Sequence, residues 1–287
     1  MDDRLPFVNA SRRRVAAAEA LAARLPALVL AAQRLAASAA PGRHGRRRPG
    51  AGEQFWQYRD VRDGDAPRSI DWRRSARGER LYVREREWES VETLVIDIQD
   101  HPGMGFSSQR GGETKRDRAM LLGLALAALA LDGGERVALF GRTPACVGPG
   151  ALDRLAAGFL LPAAATPPPG RLAMIGDFLD PADALAADLA RHGAAARGGT
   201  LLHLLDPAEC EFPYRGRVLF EVATGDPPED IARAEDVAAA YRARIAAQRA
   251  LVVGAAEAAR LVPVFHRTDA SPGPALAALR AALEPVA

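Results

Sequence analysis

The sequence has few of the features that mark disulfide-rich or membrane proteins. It contains two cysteines in 287 residues, Cys146 and Cys210, and they form no Cys-x-x-Cys pair, so neither a disulfide framework nor a zinc module is expected. The N-terminus lacks the basic-then-apolar arrangement of a signal peptide. No uninterrupted apolar run approaches the ~18 residues of a membrane span, and the best stretch, Leu121–Leu131, stops at Asp132. We therefore expect a cytoplasmic protein.

The chain also lacks an excess of charge of one sign. Lys and Arg total 38 against 36 Asp and Glu, a net charge of +2, which argues against a globally basic nucleic-acid binder. Lysine is almost absent, because Lys115 is the single lysine and arginine supplies the other basic side chains. Aromatic residues amount to 6%. Runs of Leu, Val and Ile nevertheless recur to the end of the chain, so a buried core is expected.

Composition divides the chain into four segments. Residues 1–40 carry apolar positions at helical spacing and predict one bent helix or two short ones, because Pro26 interrupts the pattern. Residues 41–52 (PGRHGRRRPGAG) predict a flexible basic loop. Residues 53–90 alternate aromatic and β-branched residues with charges, which predicts strands around polar turns. Residues 91–287 form the predicted main domain.

The main domain shows alternating strand and helix patterns. Strands are predicted near 93–98, 136–140, 172–175, 200–205, 217–222 and 261–266, and helices near 114–131, 152–161, 182–190, 229–257 and 275–283. Strands that alternate with helices of this length require a mainly parallel sheet with helices on both faces. We therefore predict an α/β fold, preceded by a small strand-rich charged segment and a helical N-terminus.

Two acidic residues follow predicted strands, Asp97 in TLVIDIQDHPGM and Asp177 in LAMIGDFLD. Open parallel sheets place their sites beyond the carboxyl ends of the strands, so both carboxylates are candidate metal ligands. A carboxylate in this position also suits a helix N-cap or a solvated turn, and spacing alone favours that structural role.

Residues 50–90 resemble the signature of a bacterial family, the domain of unknown function numbered 58. The positions that carry the resemblance are Gly52, Glu53, Phe55, Tyr58, Gly64, Asp65, Arg68, Ile70, Asp71, Trp72, Ser75, Ala76, Arg77, Val83, Arg84 and Glu85. Two later stretches, LLDPAECEFPYRGRVLF at 204–220 and VFHRTD at 264–269, also resemble family signatures. The resemblance therefore covers about residues 50–285.

The resemblance implies both a fold and a partner. Members of the family resemble von Willebrand factor A domains, a Rossmann-like fold. They are typically encoded beside MoxR-type AAA+ ATPases and are thought to act with them as chaperone-like adaptors. By this resemblance the chain is expected to be a non-enzymatic assembly factor, with such an ATPase and other von Willebrand A-domain proteins as partners.

The resemblance also implies where a metal would bind. Von Willebrand A domains hold Mg²⁺ with Asp-x-Ser-x-Ser, a distant Thr and a later Asp. If Asp97 is the first ligand, the two serine positions hold Gln99 and His101. If Met104–Phe106 is aligned instead with the Ser-Met-x-Phe of the family, the three ligand positions hold Gln99, His101 and Gly103. Asp177 matches the later Asp, and no Thr is assigned. We therefore expect a degenerate adhesion site, with Asp97, Gln99 and Asp177 as its remaining residues, and no bound cofactor. His101 is interpreted as a solvated loop residue.

A charged block within the signature is interpreted as structural. It comprises Asp65, Arg68, Asp71, Trp72 and Arg77. The nearby guanidinium groups hold the carboxylates ionised and lower their pKa instead of tuning one for acid–base work. We predict an ion-pair network, supported by a buried Trp72 side chain, that locks residues 53–90 onto the sheet domain.

The basic loop next to this block is the predicted partner-binding segment, through Arg43, Arg46, Arg47 and Arg48. Two rival hypotheses remain open. One is a nucleic-acid-binding module that uses residues 43–48 and 73–77 as phosphate contacts. The other is a metal-dependent hydrolase that uses Asp97 and Asp177. No phosphate-binding glycine motif and no recognisable Ser/His/Asp order supports an enzyme.

Overall fold

The computed structural model describes residues 5–39, 55–61, 70–76, 78, 80–86, 92–163, 166, 168–221 and 227–284. Two compact units divide the chain. The large unit comprises residues 1–41 and 92–287, and the small unit comprises residues 42–91.

The large unit contains the predicted alternation of strands and helices. Its helices are α1 (Leu5–Ala39), α3 (Lys115–Asp132), α4 (Ala151–Gly158), α5 (Ala182–Ala195), α6 (Pro207–Glu211), α7 (Ala234–Ala258) and α8 (Pro272–Leu283). Its strands are β3 (Thr93–Ile98), β4 (Arg136–Leu139), β5 (Gly170–Gly176), β6 (Ala196–Leu205), β7 (Val218–Phe220), β8 (Glu229–Ile231) and β9 (Leu261–Arg267).

Five of these strands form one sheet in the order β4-β3-β5-β6-β9, and every neighbouring pair is parallel. The strands read as continuous apolar runs because the sheet is covered on both faces. One face packs against α1, α3, α4 and α8, and the other packs against α5 and α7. The predicted α/β, Rossmann-like fold is confirmed. The finer likeness to von Willebrand A domains remains a prediction.

Helix α1 is one continuous helix with Pro26 inside it, which decides between the two alternatives that the sequence left open. Leu25, Val29, Ala32 and Ala36 recur at helical spacing and belong to the same core cluster as α3 and α8. Arg24 also forms a 2.9 Å ion pair with Asp117 of α3.

The part of α1 from Ala18 to Ala39 has a mean hydropathy of 1.3 and is long enough to cross a membrane. The sequence did not predict this segment as a membrane span because Arg24 and Arg34 interrupt its apolar residues. A single helix of this kind is weak evidence for a span, since the core-packing stripe of α1 accounts for part of its apolar character. The cytoplasmic location remains a prediction.

One predicted strand lies outside the parallel sheet. Residues 217–222 were expected to join the strand and helix alternation, but β7 pairs antiparallel with β8 as a separate two-stranded sheet. Phe212 packs on Phe220 of β7 and on Tyr241, with ring centroids 5.8 Å and 4.6 Å apart. The apolar residues of this segment therefore pack on a local aromatic cluster and not on the central sheet.

The small unit contains β1 (Phe55–Asp60), α2 (Trp72–Ser75) and β2 (Tyr82–Arg86). The two strands pair antiparallel, with a register shift between Phe55 and Gln57. The described part of this segment is therefore a strand pair with a short helix in the connection, as the alternating pattern indicated.

Candidate functional site

The candidate site lies at the carboxyl ends of the central strands. β3 is the first strand of the sheet in sequence, and the next two sheet strands, β4 and β5, pair on opposite sides of it. The order in which strands are added to the sheet therefore reverses between β3 and β5, while all strands remain parallel. Open α/β sheets bind ligands in the crevice at such a switch point.

Asp177 is the buried centre of the site. It directly follows β5, and its side chain is 1% exposed. Its Oδ1 lies 3.1 Å from Nε2 of His101, and its Oδ2 accepts a 2.6 Å hydrogen bond from Nζ of Lys115. The sequence singled out Asp177 and His101 separately, and the structure brings them together.

Lys115 supplies the central cation. It is the first residue of α3, which is capped by Thr114 and its reciprocal bond with Asp117. Its Nζ lies 2.6 Å from Asp177 Oδ2 and 2.5 Å from Glu209 Oε1, so that one buried ammonium bridges two carboxylates. Charged groups at this depth persist only when they are paired and hydrogen-bonded.

Glu209 is held in place by the turn after β6. Asp206 caps α6: its Oδ1 accepts from the backbone N–H of Ala208 at 2.8 Å, and Glu209 Oε2 accepts from the N–H of Asp206 at 2.8 Å. Asp206 Oδ2 also accepts a 3.0 Å bond from the N–H of Ser108, in the loop after β3. The late family signature at 204–220 therefore contributes directly to the site.

The pKa values of the two carboxylates move in opposite directions. Burial favours the neutral form of Asp177, but the hydrogen bond with His101 and the charge of Lys115 outweigh it and lower the pKa of Asp177 to about 2. Burial raises the pKa of Glu209, and the charge of Asp177 adds to this effect. Two acids that share one ammonium also repel each other, so only one of them is strongly held in its ionised form. The hydrogen bond that His101 donates to Asp177 raises the pKa of His101.

Gln99 joins the loop after β3 to the loop after β5. Its Oε1 accepts a 3.0 Å hydrogen bond from the backbone N–H of Phe178, whose φ is 45°. Gly176 makes room for this contact, because a Cβ at that position would lie 2.0 Å from Gln99 Oε1. Gln248 of α7 donates to the carbonyl oxygens of Phe178 and Asp180 at 2.7 and 2.9 Å. The backbone that presents Asp177 is thus held from both sides.

Asp97 has different neighbours from Asp177. It shares a strand face with Val95, which packs in the cluster of α5 and α7. Its Oδ2 lies 3.2 Å from Nε2 of the buried His192 of α5, whose Nδ1 is 2.8 Å from the carbonyl oxygen of Asp188. Burial lowers the pKa of His192, but the hydrogen bond with Asp97 and other acidic contacts raise it overall. Of the three expected metal-site residues, Gln99 and Asp177 flank the same crevice, and Asp97 forms a pair with His192.

The second late signature, at 264–269, meets the first turn of α3 beside the site. Arg118 is buried, and its Nη1 lies 2.8 Å from Nε2 of His266 and 2.6 Å from the carbonyl oxygen of Ala270. Its Nη2 donates to Glu113 at 2.6 Å. The first turn of α3 therefore carries two buried cations, Lys115 and Arg118, which contact Glu209 of the 204–220 stretch and His266 of the 264–269 stretch.

The signature block of the small unit is described in part. Asp65, Arg68 and Arg77 of the predicted network lie outside the described residues, as do Arg43, Arg46, Arg47 and Arg48 of the predicted partner loop.

The rest of that block shows a helix cap and an exposed tryptophan. Asp71 caps α2, and its Oδ1 accepts a 3.0 Å hydrogen bond from the N–H of Arg74. Trp72 is 58% exposed. The expectation that Trp72 is buried is wrong, because the buried residue of α2 is Ser75 and the Trp72 side chain is mostly exposed.

The comparison with known families agrees with the signature. The family described as "Protein of unknown function DUF58" matches residues 57–151, a stretch that contains Asp71, Asp97, Gln99, His101 and Lys115. No curated protein and no solved structure matches the chain. Residues 57–151 thus match the DUF58 family, whose function is unknown and whose signature the sequence resembles.

Proposed function

We propose that this protein is a non-enzymatic interaction or assembly factor that works with a MoxR-type AAA+ ATPase. The observation that supports a non-enzymatic role is the internal neutralisation of the carboxylates at the switch point by Lys115 and His101. A general base works best with a pKa near the operating pH. The pKa of Asp177 is about 2, so this carboxylate is a weak base.

The hydrolase alternative is a metal-dependent enzyme that uses Asp97 and Asp177. Asp97 is paired with His192, and Asp177 is paired with Lys115. This arrangement favours binding over hydrolysis as the role of the switch point.

The ATPase partner is proposed from the family resemblance, which runs through residues 50–285 and includes the matched residues 57–151. Such a partner would contact the switch point through the side chains at its surface, which are His101, Phe106, Arg116 and Leu179. Each is at least partly exposed, and each is tied to the buried network. For example, Arg116 donates to the carbonyl oxygen of His101 at 3.1 Å, and the N–H of Leu179 donates to Asp177 at 3.4 Å.

The proposal is tested by co-purification and by ATPase stimulation. The tagged full chain is co-expressed with a MoxR-type ATPase from the same organism, and ATP turnover is measured with and without the chain. We expect the two proteins to co-purify. In the variant Phe106→Ala/Leu179→Ala we expect the apparent affinity to fall at least about tenfold, because truncation removes exposed apolar anchors of the kind that dominate interfaces.

A matched control carries the same kind of change elsewhere. Leu30→Ala/Leu251→Ala removes two exposed leucines from α1 and α7, and it should bind the ATPase as the wild type does. Failure of the wild-type pair to co-purify, together with unchanged ATP turnover, would count against the partner. Retention of DNA or RNA that falls steeply with salt would instead support the nucleic-acid alternative.

A further inference from the structure

The residues at the switch point do not fit the Mg²⁺ that the von Willebrand A resemblance implies. Mg²⁺ requires near-octahedral oxygen ligands at ~2.1 Å. Both oxygens of Asp177 are already engaged, Oδ2 by the Lys115 ammonium at 2.6 Å and Oδ1 by His101 at 3.1 Å. Gln99 Oε1 accepts from the backbone N–H of Phe178. In the described part of the chain, no three His, Cys, Asp or Glu side chains converge on a common point.

The charges explain why a metal and this lysine exclude each other. Lys115 Nζ lies within 2.6 Å of carboxylate oxygens from two segments, Asp177 directly after β5 and Glu209 in α6, which follows β6. A divalent ion bound to the same oxygens would stand beside a buried ammonium, and like charges at that separation repel strongly where little water screens them. The ammonium also provides what a metal provides in such a site, which is a positive charge that holds acidic loop ends together.

We propose that Lys115 is an internal cation that takes the place of a divalent metal at the switch point, so that the site is assembled without metal. Removal of the amine leaves two acidic side chains, Asp177 and Glu209, facing the vacated space. Such a pair of oxygen donors suits Mn²⁺ or Mg²⁺. The wild-type chain is therefore metal-independent, and a lysine-free variant acquires a divalent-cation site.

The first measurement uses the wild-type chain and its single lysine. Protein labelled with ¹³C,¹⁵N-lysine carries one labelled side chain, that of Lys115, and its NMR signal is followed during a titration with MnCl₂. Mn²⁺ at a site next to Asp177 would broaden this signal strongly. We expect no selective broadening. Broadening in the wild type that disappears in Asp177→Asn would overturn the proposal.

The second measurement uses Lys115→Ala, titrated with MnCl₂ and followed by calorimetry and thermal melting. We expect Mn²⁺ to bind this variant at least about tenfold more tightly than the wild type and to raise its melting temperature. Lys115→Met is the control, because it removes the charge but fills the space, and it should gain no Mn²⁺ affinity. A folded Lys115→Ala chain with wild-type Mn²⁺ affinity would refute the proposal. If that variant does not fold, the wild-type titration still decides.

The consequence for partner binding rests on the proposed function and is measured separately. Co-purification with the ATPase should be equal when the chain has been treated with EDTA and when Mg²⁺ is supplied to the chain alone. Loss of binding after chelation of the chain would contradict metal independence. Absence of any binding would contradict the partner and leave the two metal titrations to judge the role of Lys115.

Discussion

Lys115→Met is the substitution with the largest expected effect on stability. Methionine is close to lysine in volume but lacks the terminal ammonium, so it leaves Asp177 and Glu209 buried without their shared cation. His101 remains on Asp177, but Glu209 loses its lysine bond, and its remaining hydrogen bond comes from the N–H of Asp206. The variant should therefore fold with a large loss of stability.

The expected loss of stability follows from the burial of the ion pair and from the pKa of Asp177. Removal of one partner from a buried ion pair costs about 3–5 kcal/mol. The pKa of Asp177 lies at about 2 against an ordinary 3.8, so its surroundings, which include His101 and Lys115, favour the ionised form by about 2 kcal/mol. At about 2–4 °C per kcal/mol for a domain of 150–250 residues, the melting temperature should fall by about 6–20 °C.

Urea unfolding followed by circular dichroism measures the effect, with a triple variant as the control. Lys115→Met/Asp177→Asn/Glu209→Gln removes all three charges and should regain most of the lost stability, because no buried charge is left uncompensated. The deficit of the single variant should also shrink as the pH falls from 7 to 4, because the carboxylates that lost the lysine take up protons. A Lys115→Met chain within about 1 kcal/mol of wild type at pH 7 would refute the buried ion-pair reasoning.

Three further predictions follow from other contacts. Burial lowers the pKa of both His203 and His266 to about 4. The fold is therefore most stable above the unfolded histidine pKa of 6.5, and each histidine should cost about 3 kcal/mol of unfolding free energy by pH 4. Unfolding free energies measured from pH 7 to pH 4 should fall accordingly, and His203→Leu should remove about half of this pH dependence. A slope unchanged in His203→Leu would contradict this assignment. Gly176→Ala should cost about 1–3 kcal/mol of stability because it displaces the Gln99 side chain, which accepts from the N–H of the buried Phe178. Thermal melts of the double variant Gly176→Ala/Gln99→Ala should show little further loss. Additive losses would show that the two sites are independent. Asp71→Ala should cost at least about 1 kcal/mol through the lost α2 cap, while Asp71→Asn, which keeps an acceptor, should melt near the wild type; equal losses would show that the charge matters more than the cap.

The fold was predictable from the sequence because its signals are local. Apolar runs such as TLVIDI and RLAMIG indicate strands that are buried on both faces, and both form strands of the parallel sheet. Residues 217–222 gave the same local signal but pair with β8. A short apolar strand carries no information about which sheet it joins, because pairing depends on residues distant in sequence.

The candidate site was predictable only in part. Asp177 was identified because an acid after a parallel strand lies at the ligand-binding edge of the sheet. Lys115 was missed as a site residue, since its carboxylate partners are 62 and 94 residues away and a basic residue at a helix start has no local signature. The signal that was present is compositional: an arginine-rich chain retains one lysine, and lysine concentrates its charge in a compact ammonium that fits between two carboxylates.

The sequence by itself determined the alternation of strands and helices, the parallel sheet and the family, because hydrophobic periodicity and ordered motifs are properties of neighbouring residues. The tertiary structure alone decided which charges meet. Asp97 and Asp177 look alike in sequence, yet Asp97 pairs with His192 of α5 and Asp177 pairs with Lys115 of α3. The physical reason is that side chains alternate across a strand while a residue beyond its end is free of that alternation, so the helices packed on each face determine the partner of each carboxylate.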